Sequence, residues 1–542
     1  MNYKVISFSH ESSPLTLKTA VSESKTELVF RNLGLIGQSI GFLERLGYDH
    51  LTHQIPHLEY RNWYRLLGNV NRAQTDESKL KAFLDMIMFA ANAAQQQQVE
   101  CTRFTLPDFQ STYFGRRVIV AQNPDYIRML FVENIQRLHQ NPFLLLQPLI
   151  GPSNLVSLPP TKEWREKRSI LVQLIIQGFS KNVCQNVIRN VVQTTLDLHL
   201  NQPRSLNKIT SAISREVLCR CLLRLESGFE LFDNNLVSDF FREIAGIRLS
   251  TDPNGSQQLG TRIEAMALKL IDANSKSLFE DPKQNKTWLT ELLRLHAGKK
   301  EGDFTLQECQ DMLAKLKTYI DTVSTPDPAL EKLRYLVREA MLLPLVGFDT
   351  TSSLMTTAVR KIEESPLLKK ELIEDIQRGN IQLDANVNIL YKKQEKLDLI
   401  DRIILESLRW APPASIDPEE IAEKFDPFTK GTWVFVDIFQ LHRNPKYYQN
   451  PDEFLPDRWR TIDLAKYHND CKYVPFKQGI RICAGKQFAL VEAKFFIHTM
   501  YANYLITMRE NQCSTDNLNR YSTVIQYTSP DDVLIKKKDP RK

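Results

Sequence analysis

One cysteine stands in a ten-residue segment that could bind a metal through a single sulfur. The segment, FKQGIRICAG at residues 476–485, places Cys483 between two glycines and two residues after Arg481. A single thiolate cannot complete a tetrahedral zinc or iron–sulfur site, which needs about four ligands, whereas haem iron needs only one from the protein. These residue types and their spacing therefore favour a haem ligand.

The residues around the cysteine suit that chemistry. Residues 486–501, KQFALVEAKFFIHTMY, predict an amphipathic helix whose first N–H groups lie near Cys483 and stabilise a thiolate. Gly479 permits a tight turn, and Gly485 permits the backbone to approach a flat macrocycle. Arg481 can donate a charge-assisted hydrogen bond to a haem propionate. A buried core cysteine is the alternative interpretation of Cys483.

The segment also matches every fixed position of F-x-x-G-x-R-x-C-x-G, and so resembles the signature around the haem-ligating cysteine of the cytochrome P-450 family. The resemblance implies haem b (iron protoporphyrin IX), with Cys483 as the ligand of the iron. It also implies that Phe476, Gly479, Arg481 and Gly485 belong to the cofactor-binding residues.

Two further segments carry the resemblance. ESLR places Glu406 and Arg409 three residues apart, on one helix face, and PDRW supplies Arg458. The resemblance implies that these three form a buried ion network supporting the cysteine loop. WREKR resembles the family's W-x-x-x-R helix, in which Trp164 and Arg168 contact a haem propionate. A solvated surface pair is the alternative interpretation of ESLR.

A fourth segment suits oxygen chemistry. LLPLVGFDTTSS resembles the family's [AG]-G-x-[DE]-T-[TS] oxygen-binding motif through Gly347, Asp349, Thr350 and Thr351, although Val346 stands where the family usually has Ala or Gly. Cleavage of the O–O bond requires protons, and the resemblance implies that Thr350 delivers them with ordered water while Asp349 relays them from solvent. Hydroxyls that merely bond carbonyls one turn earlier are the alternative interpretation.

The segment after ESLR departs from the family. Many members have a basic residue there for the second propionate, whereas no Arg, Lys or His occurs between Arg409 and Lys424. The contact of the second propionate is therefore left open.

Basic residues flank the cysteine loop and the tryptophan segment: Lys472, Lys477, Lys486, Lys494, Lys162, Arg165 and Lys167. We expect them to form a basic face that receives electrons from an acidic ferredoxin, flavodoxin or flavin reductase. Ordinary solvation of each side chain is the alternative interpretation.

The elements that position these residues are predicted to be mostly helical. Helical periodicity extends over residues 124–361, and an N-cap at Asp327 predicts one helix to about Lys361, roughly 50 Å long. Strand-like segments lie at about 102–121 and 430–439. The predicted class is mainly α with small β-sheets, and the resemblance implies the cytochrome P-450 fold, with a long central helix over a haem and a cysteine ligand loop.

Composition agrees with a large globular protein. The chain has 542 residues, of which 42% are hydrophobic, and its 70 basic and 64 acidic residues are mixed, which argues against a nucleic-acid partner. Eight cysteines without a Cys-x-x-Cys pair favour a reducing compartment. Since no apolar run reaches the ~20 residues of a membrane span, we expect a cytoplasmic protein, soluble or peripherally membrane-associated.

The sequence predicts an N-terminal extension over residues 1–75 and a haem-thiolate domain over 76–542. The motifs imply a monooxygenase that inserts one oxygen atom from O2 into a lipophilic small molecule, such as a fatty acid, sterol or terpenoid, with electrons from a redox partner. Segments expected to line the pocket, about 136–153 and 230–285, carry no readable substrate code. A haem-thiolate isomerase or peroxygenase and a non-enzymatic haem sensor stay open as alternatives.

Overall fold

The computed structural model describes residues 101–106, 116–139, most of 151–222, parts of 264–271, most of 286–508 and short pieces from 518 to 538. Within these residues helices predominate and the sheets are small, which confirms the predicted class. The extension over residues 1–75 and most of the expected pocket-lining segments lie outside the described residues. Among the described helices, none combines the length and the apolar character needed to cross a membrane.

The helices are numbered here in chain order. They are α1 (Pro124–Arg128), α2 (Lys162–Ser180), α3 (Val183–Leu198), α4 (Leu206–Leu222), α5 (Trp288–His296), α6 (Leu306–Thr322), α7 (Pro328–Glu364), α8 (Pro366–Gln377), α9 (Leu399–Trp410), α10 (Ile438–Leu441), α11 (Leu464–Asn469) and α12 (Lys486–Asn503). A π-helical turn, Met129–Glu133, continues α1, and a 3-10 turn, Gly479–Arg481, precedes α12.

The long central helix α7 begins and ends close to the predicted positions. Asp327 caps it, because its carboxylate accepts the N–H of Ala329 at 2.8 Å and that of Leu330 at 3.3 Å, and a proline occupies the first helical position. The helix has 37 residues and is about 55 Å long at 1.5 Å per residue. The prediction of one long helix to about Lys361 is confirmed.

The strands are also numbered in chain order. They are β1 (Cys101–Leu106), β2 (Arg116–Ala121), β3 (Leu138–His139), β4 (Arg204–Ser205), β5 (Ile416–Ile421), β6 (Trp433–Asp437), β7 (Tyr504–Met508), β8 (Leu518–Asn519), β9 (Gln526–Tyr527) and β10 (Asp532–Lys537). The predicted strand segments correspond to β1, β2 and β6. Strand β5 was not predicted, because its sequence IDPEEI contains a proline and three acids and lacks apolar alternation.

The largest sheet has the order β1-β2-β6-β5-β3. Strands β2 and β6 pair in parallel, and the other neighbours are antiparallel. In the β5–β6 pair, Asp417 lies opposite Val436 and Glu419 opposite Val434. Smaller sheets have the orders β4-β10-β7 and β8-β9.

The main core lies where α7 packs against α4, α9 and α12. Helix α9 is buried along its whole length, because it lies between α7, α12 and the segment around residues 456–460. A second core joins the five-stranded sheet to α1 and to the chain just before the cysteine loop, through Cys471 and Val474. The cysteine loop therefore connects two packed regions.

Candidate active site

The cysteine loop is fixed by one glycine and one main-chain hydrogen bond. Gly479 has a φ of +71°, a left-handed conformation that favours glycine, and a Cβ placed on it would overlap the carbonyl oxygen of Phe131. The N–H of Cys483 donates to the carbonyl of Phe476 at 2.9 Å. The tight turn expected at Gly479 is present, and it brings the cysteine to the start of α12.

The sulfur of Cys483 faces the first N–H groups of α12. The N–H groups of Gly485 and Lys486 donate to it, and the charges of Arg168 and Lys486 lower the pKa of the thiol, as the sequence suggested. Burial has the larger effect, however, so the net pKa of the Cys483 thiol is raised. The N–H groups at the helix start therefore favour a thiolate, as expected, but desolvation outweighs them; a bound metal cation would supply the missing stabilisation.

The position of this sulfur is unusual for a buried cysteine. Burial dominates its pKa, yet the side chain is solvent-accessible. The flanking residues Arg481 and Lys486 are both buried. Cys483 is therefore exposed between buried neighbours, which argues against the alternative of a core cysteine.

Trp164 lies between two arginines. The guanidinium carbon of Arg168 is 5.3 Å from the centre of its ring, and that of Arg481 is 4.9 Å away. The indole N–H of Trp164 donates to the carbonyl of Leu155 at 3.1 Å. The structure thus brings Trp164, Arg168 and Arg481 together beside the cysteine, although the indole N–H already has a main-chain acceptor.

The two arginines suit an anionic ligand. Arg168 donates to the carbonyl of Ile482 and Arg481 to that of Leu158, while burial lowers the pKa of both groups. Within the part of the chain that the structure describes, neither forms a salt bridge with a carboxylate. Buried cations normally have anionic partners. Two such guanidinium groups beside a single accessible sulfur fit the two propionates and the iron of haem.

The oxygen-motif residues lie together on α7. The hydroxyl of Thr350 donates to the carbonyl of Gly347 at 3.2 Å, and the hydroxyl of Thr351 donates to the same carbonyl at 2.9 Å. Asp349 is half-buried, and burial raises the pKa of its carboxyl group. The hydroxyl–carbonyl bonds agree with the alternative interpretation of this segment, so a role in proton delivery remains a prediction. The side chain of Val346 lies outside the described residues.

Gly347 allows α7 to approach α4 closely. A Cβ at this position would lie 2.9 Å from Cδ1 of Leu218. Its observed contact is therefore with a neighbouring helix, while the cofactor contact implied by the motif remains a prediction.

Glu406 is fully buried and is the acceptor of a hydrogen-bond network. Arg409 donates two hydrogen bonds to it, at 3.0 and 2.8 Å, and Arg458 donates one at 3.0 Å. The indole N–H of Trp459 and the main-chain N–H of Leu455 add bonds of 3.1 and 2.8 Å. The three residues of the predicted network are in contact, and the solvated surface pair is excluded. Trp459 and Leu455 were missed, although Trp459 directly follows the arginine in PDRW.

The expected basic face is largely wrong. Three of its seven members, Lys167, Lys486 and Lys494, are buried, and Lys477 is partly buried. The ammonium of Lys167 lies 2.7 Å from Glu339, and that of Lys494 lies 2.6 Å from both Asp398 and Asp401. Such partners are distant in sequence, so neither composition nor periodicity could reveal them.

Positive surface charge does occur nearby, on partly different residues. Arg128, Lys466 and Lys472 surround Asp470, at 3.7, 3.4 and 3.1 Å respectively. Three cations share one carboxylate here. We call this group the Asp470 patch. It lies near the cysteine loop, because Arg128 directly precedes the π-helical turn that contacts Gly479.

A mainly helical fold, a single accessible cysteine before a helix and two guanidinium groups beside it together define a haem-thiolate protein. The family model described as Cytochrome P450 matches residues 78–534, and the chain belongs to this family. It is therefore a haem-binding oxidoreductase of the monooxygenase class.

Named relatives agree with this family. The chain is 29% identical over 421 residues to Cytochrome P450 9e2 of Blattella germanica, an alignment that covers 70% of this chain and 76% of that protein. Its fold is similar to a zebra fish cytochrome P450 structure with progesterone, with a TM-score of 0.62, 15% identity and coverage of 83% and 99% of the two chains. It is also similar to retinoic acid-bound cyanobacterial CYP120A1, with a TM-score of 0.60, 20% identity and coverage of 82% and 94%.

Proposed function

We propose that the protein inserts one atom of O2 into a lipophilic small molecule, with electrons from an acidic redox partner. The observation that carries the proposal is the position of the exposed Cys483 at the start of α12, beside Arg168 and Arg481. Cys483 would hold the iron, and the two guanidinium groups would hold the propionates. When bound, haem supplies the iron that activates O2, and a thiolate ligand favours cleavage of the O–O bond.

Asp349 and Thr350 are the proposed proton carriers. Burial raises the pKa of Asp349, so its carboxyl group retains a proton to a higher pH than an exposed aspartate does. An acid whose pKa approaches the working pH donates and regains protons readily. Thr350 adds a hydroxyl that both donates and accepts, one residue further along α7.

The lipophilic substrate class rests on two lines of support. The solved cytochrome P450 structures named above contain progesterone and retinoic acid, which are both lipophilic molecules. The segments expected to line the pocket of this chain include apolar runs, such as FLLL at residues 143–146. We therefore propose a fatty acid, sterol or terpenoid as substrate.

The substrate proposal is tested by spectroscopy and then by isotope labelling. The haem-loaded protein is titrated with fatty acids, sterols and terpenoids, and the haem Soret band is recorded. Compounds that shift the band are incubated with NADPH, a surrogate reductase and ¹⁸O₂. We expect a product that carries one ¹⁸O atom and forms only with the reductase.

Other results of this experiment would favour the alternatives. A product formed from peroxide without reductase would indicate a peroxygenase, and a product of unchanged mass would indicate an isomerase. Tight haem with no oxygen consumption for any compound would indicate a sensor.

We propose the Asp470 patch as the docking surface for the electron donor. Its three cations, Arg128, Lys466 and Lys472, would attract an acidic protein, and such attraction weakens as salt increases. Replacing Lys466 and Lys472 by glutamate should slow reduction by an acidic ferredoxin or flavodoxin at low salt. Lys370→Glu on α8 is the matched control, because that lysine is similarly exposed. Reduction rates that are independent of both salt and the double substitution would refute this surface.

A further inference from the structure

The residue after Phe476 in the cysteine loop has an unusual backbone. Lys477 has a φ of +64°, in the left-handed region that residues with a side chain rarely adopt. Its N–H donates to the carbonyl of Val474 at 3.1 Å, which closes a tight turn. Glycine would adopt this conformation without strain, whereas lysine adopts it at a cost in free energy. Contacts of the lysine side chain therefore have to offset that cost.

The side chain of Lys477 reaches strand β5. Its ammonium lies 2.9 Å from Asp417, contacts Glu419 and lies 4.6 Å from the ring centre of Phe131. Asp417 and Glu419 are two residues apart and therefore point to the same face of β5, whereas Glu420 points to the opposite face. We call these three residues, Asp417, Lys477 and Glu419, the loop triad.

The loop triad connects the cysteine loop to strand β5, and each of these lies next to a residue of the proposed cofactor site. On the loop, Lys477 lies directly after Phe476, whose carbonyl accepts the N–H of Cys483. On the sheet, burial lowers the pKa of Arg481, and the charges of Glu419 and Asp417 oppose this lowering. These carboxylates therefore lie close to one of the two guanidinium groups beside the sulfur.

The triad also gives a role to the acidic residues in the segment after ESLR, residues 410–423. That segment has no basic residue from 410 to 423, and β5 instead presents two carboxylates to the loop. Burial raises the pKa of Glu419 to about 7, and Lys477 acts against this rise. Without the ammonium, a fully buried carboxylate would remain near Arg481 with too little positive charge around it.

We infer that the loop triad positions the cysteine ligand, because Lys477 ties the loop to β5 and thereby holds the Phe476 carbonyl that orients Cys483. Lys477 and Glu419 are positioning residues that act through the loop. The inference rests on the proposed bond between Cys483 and haem iron. Residues that orient a metal ligand from behind typically change metal affinity by roughly 10- to 100-fold when replaced.

Lys477→Gly is the decisive substitution, because it removes the charge and relieves the backbone strain at the same time. We expect haem to dissociate roughly 10- to 100-fold faster from this variant. We also expect part of its reduced carbon monoxide complex to lose the red-shifted Soret band that a trans thiolate gives. Lys477→Arg keeps the charge and should restore most of both properties. Glu420→Gln, on the opposite face of β5, is the control and should match the unmodified protein.

The outcomes distinguish the positioning role of the triad from the bond between Cys483 and haem iron on which it rests. If Lys477→Gly keeps the unmodified dissociation rate and the full red-shifted band, the triad has no positioning role. If that variant does not fold, Glu419→Gln decides by the same two measurements, and unchanged values would overturn the inference. An unmodified protein that lacks the red-shifted band would refute the bond between Cys483 and iron itself.

Discussion

Replacement of Glu492 by glutamine should stabilise the protein increasingly as the pH rises. Glu492 lies in α12 and is fully buried. Burial raises the pKa of its carboxyl group from 4.5 to about 8, and the hydroxyl of Ser214 on α4 opposes this only in part. The folded protein therefore keeps a proton on this group at pH values where the unfolded chain has lost it.

The sign and size of the effect follow from this difference in pKa. Between about pH 4.5 and 8 the folded state binds the extra proton, so the free energy of unfolding falls by up to about 1.4 kcal/mol for each pH unit. From about pH 5 to about pH 8 the loss approaches roughly 3–4 kcal/mol for a carboxyl group that stays dry. Glutamine does not ionise, so the variant escapes this loss.

Urea unfolding of the haem-loaded protein, followed by circular dichroism, measures the effect. The free energy of unfolding is measured for Glu492→Gln and for the unmodified protein at about pH 5 and at about pH 8. The difference between the two proteins is compared at the two pH values, so that contributions from other groups cancel. We expect this difference to increase by about 2–4 kcal/mol at the higher pH. The exposed Glu395→Gln is the control. A difference that does not change with pH would refute the assignment of a buried, protonated Glu492.

Three further substitutions test the site. Glu406→Ala leaves two buried guanidinium groups without their carboxylate and should lower the free energy of unfolding by about 3–5 kcal/mol in urea titrations; a loss below about 1 kcal/mol would contradict the network. Gly479→Ala should lower the free energy of unfolding by about 1–3 kcal/mol more than Gly298→Ala does. Both glycines have a positive φ, but of the two only Gly298 has open space around it, whereas a Cβ at Gly479 would overlap the Phe131 carbonyl. Equal losses of free energy in the two variants would refute this overlap. Asp349→Asn should reduce product formation roughly 100-fold. In the unmodified enzyme we expect the rate to fall as the pH rises through the raised pKa of Asp349, and the substitution should abolish this fall. An unchanged pH profile would exclude Asp349 as the proton carrier.

The parts of the site that the sequence could predict are those encoded over a few residues. The turn at Gly479 and the approach of Cys483 to the start of α12 both depend on neighbours within ten positions. Glu406 and Arg409 also share one helix face, and a short motif supplies their third partner. Local backbone geometry determines most of these contacts, whereas Arg458 and the Phe131 carbonyl beside Gly479 are brought in by the fold.

The parts that could not be predicted depend on partners distant in sequence. Lys494 looked like a surface cation, but the fold places it against Asp398 and Asp401, almost a hundred positions earlier. Strand β5 forms from IDPEEI because it pairs with two neighbouring strands and because Lys477 forms ion pairs with two of its three acids, neither of which its own sequence reveals. The raised pKa of the Cys483 thiol could not be predicted for the same reason, since desolvation depends on everything packed around the sulfur.

The contact between Gly479 and the carbonyl of Phe131 has a consequence for assembly. These two residues are 348 positions apart, so the turn before the cysteine is complete only after the early and late parts of the chain have met. Contacts that close such long stretches of chain form slowly. Capture of the cofactor would therefore come late in maturation, and a truncated or half-folded chain would present a cysteine that is not yet aimed at the iron.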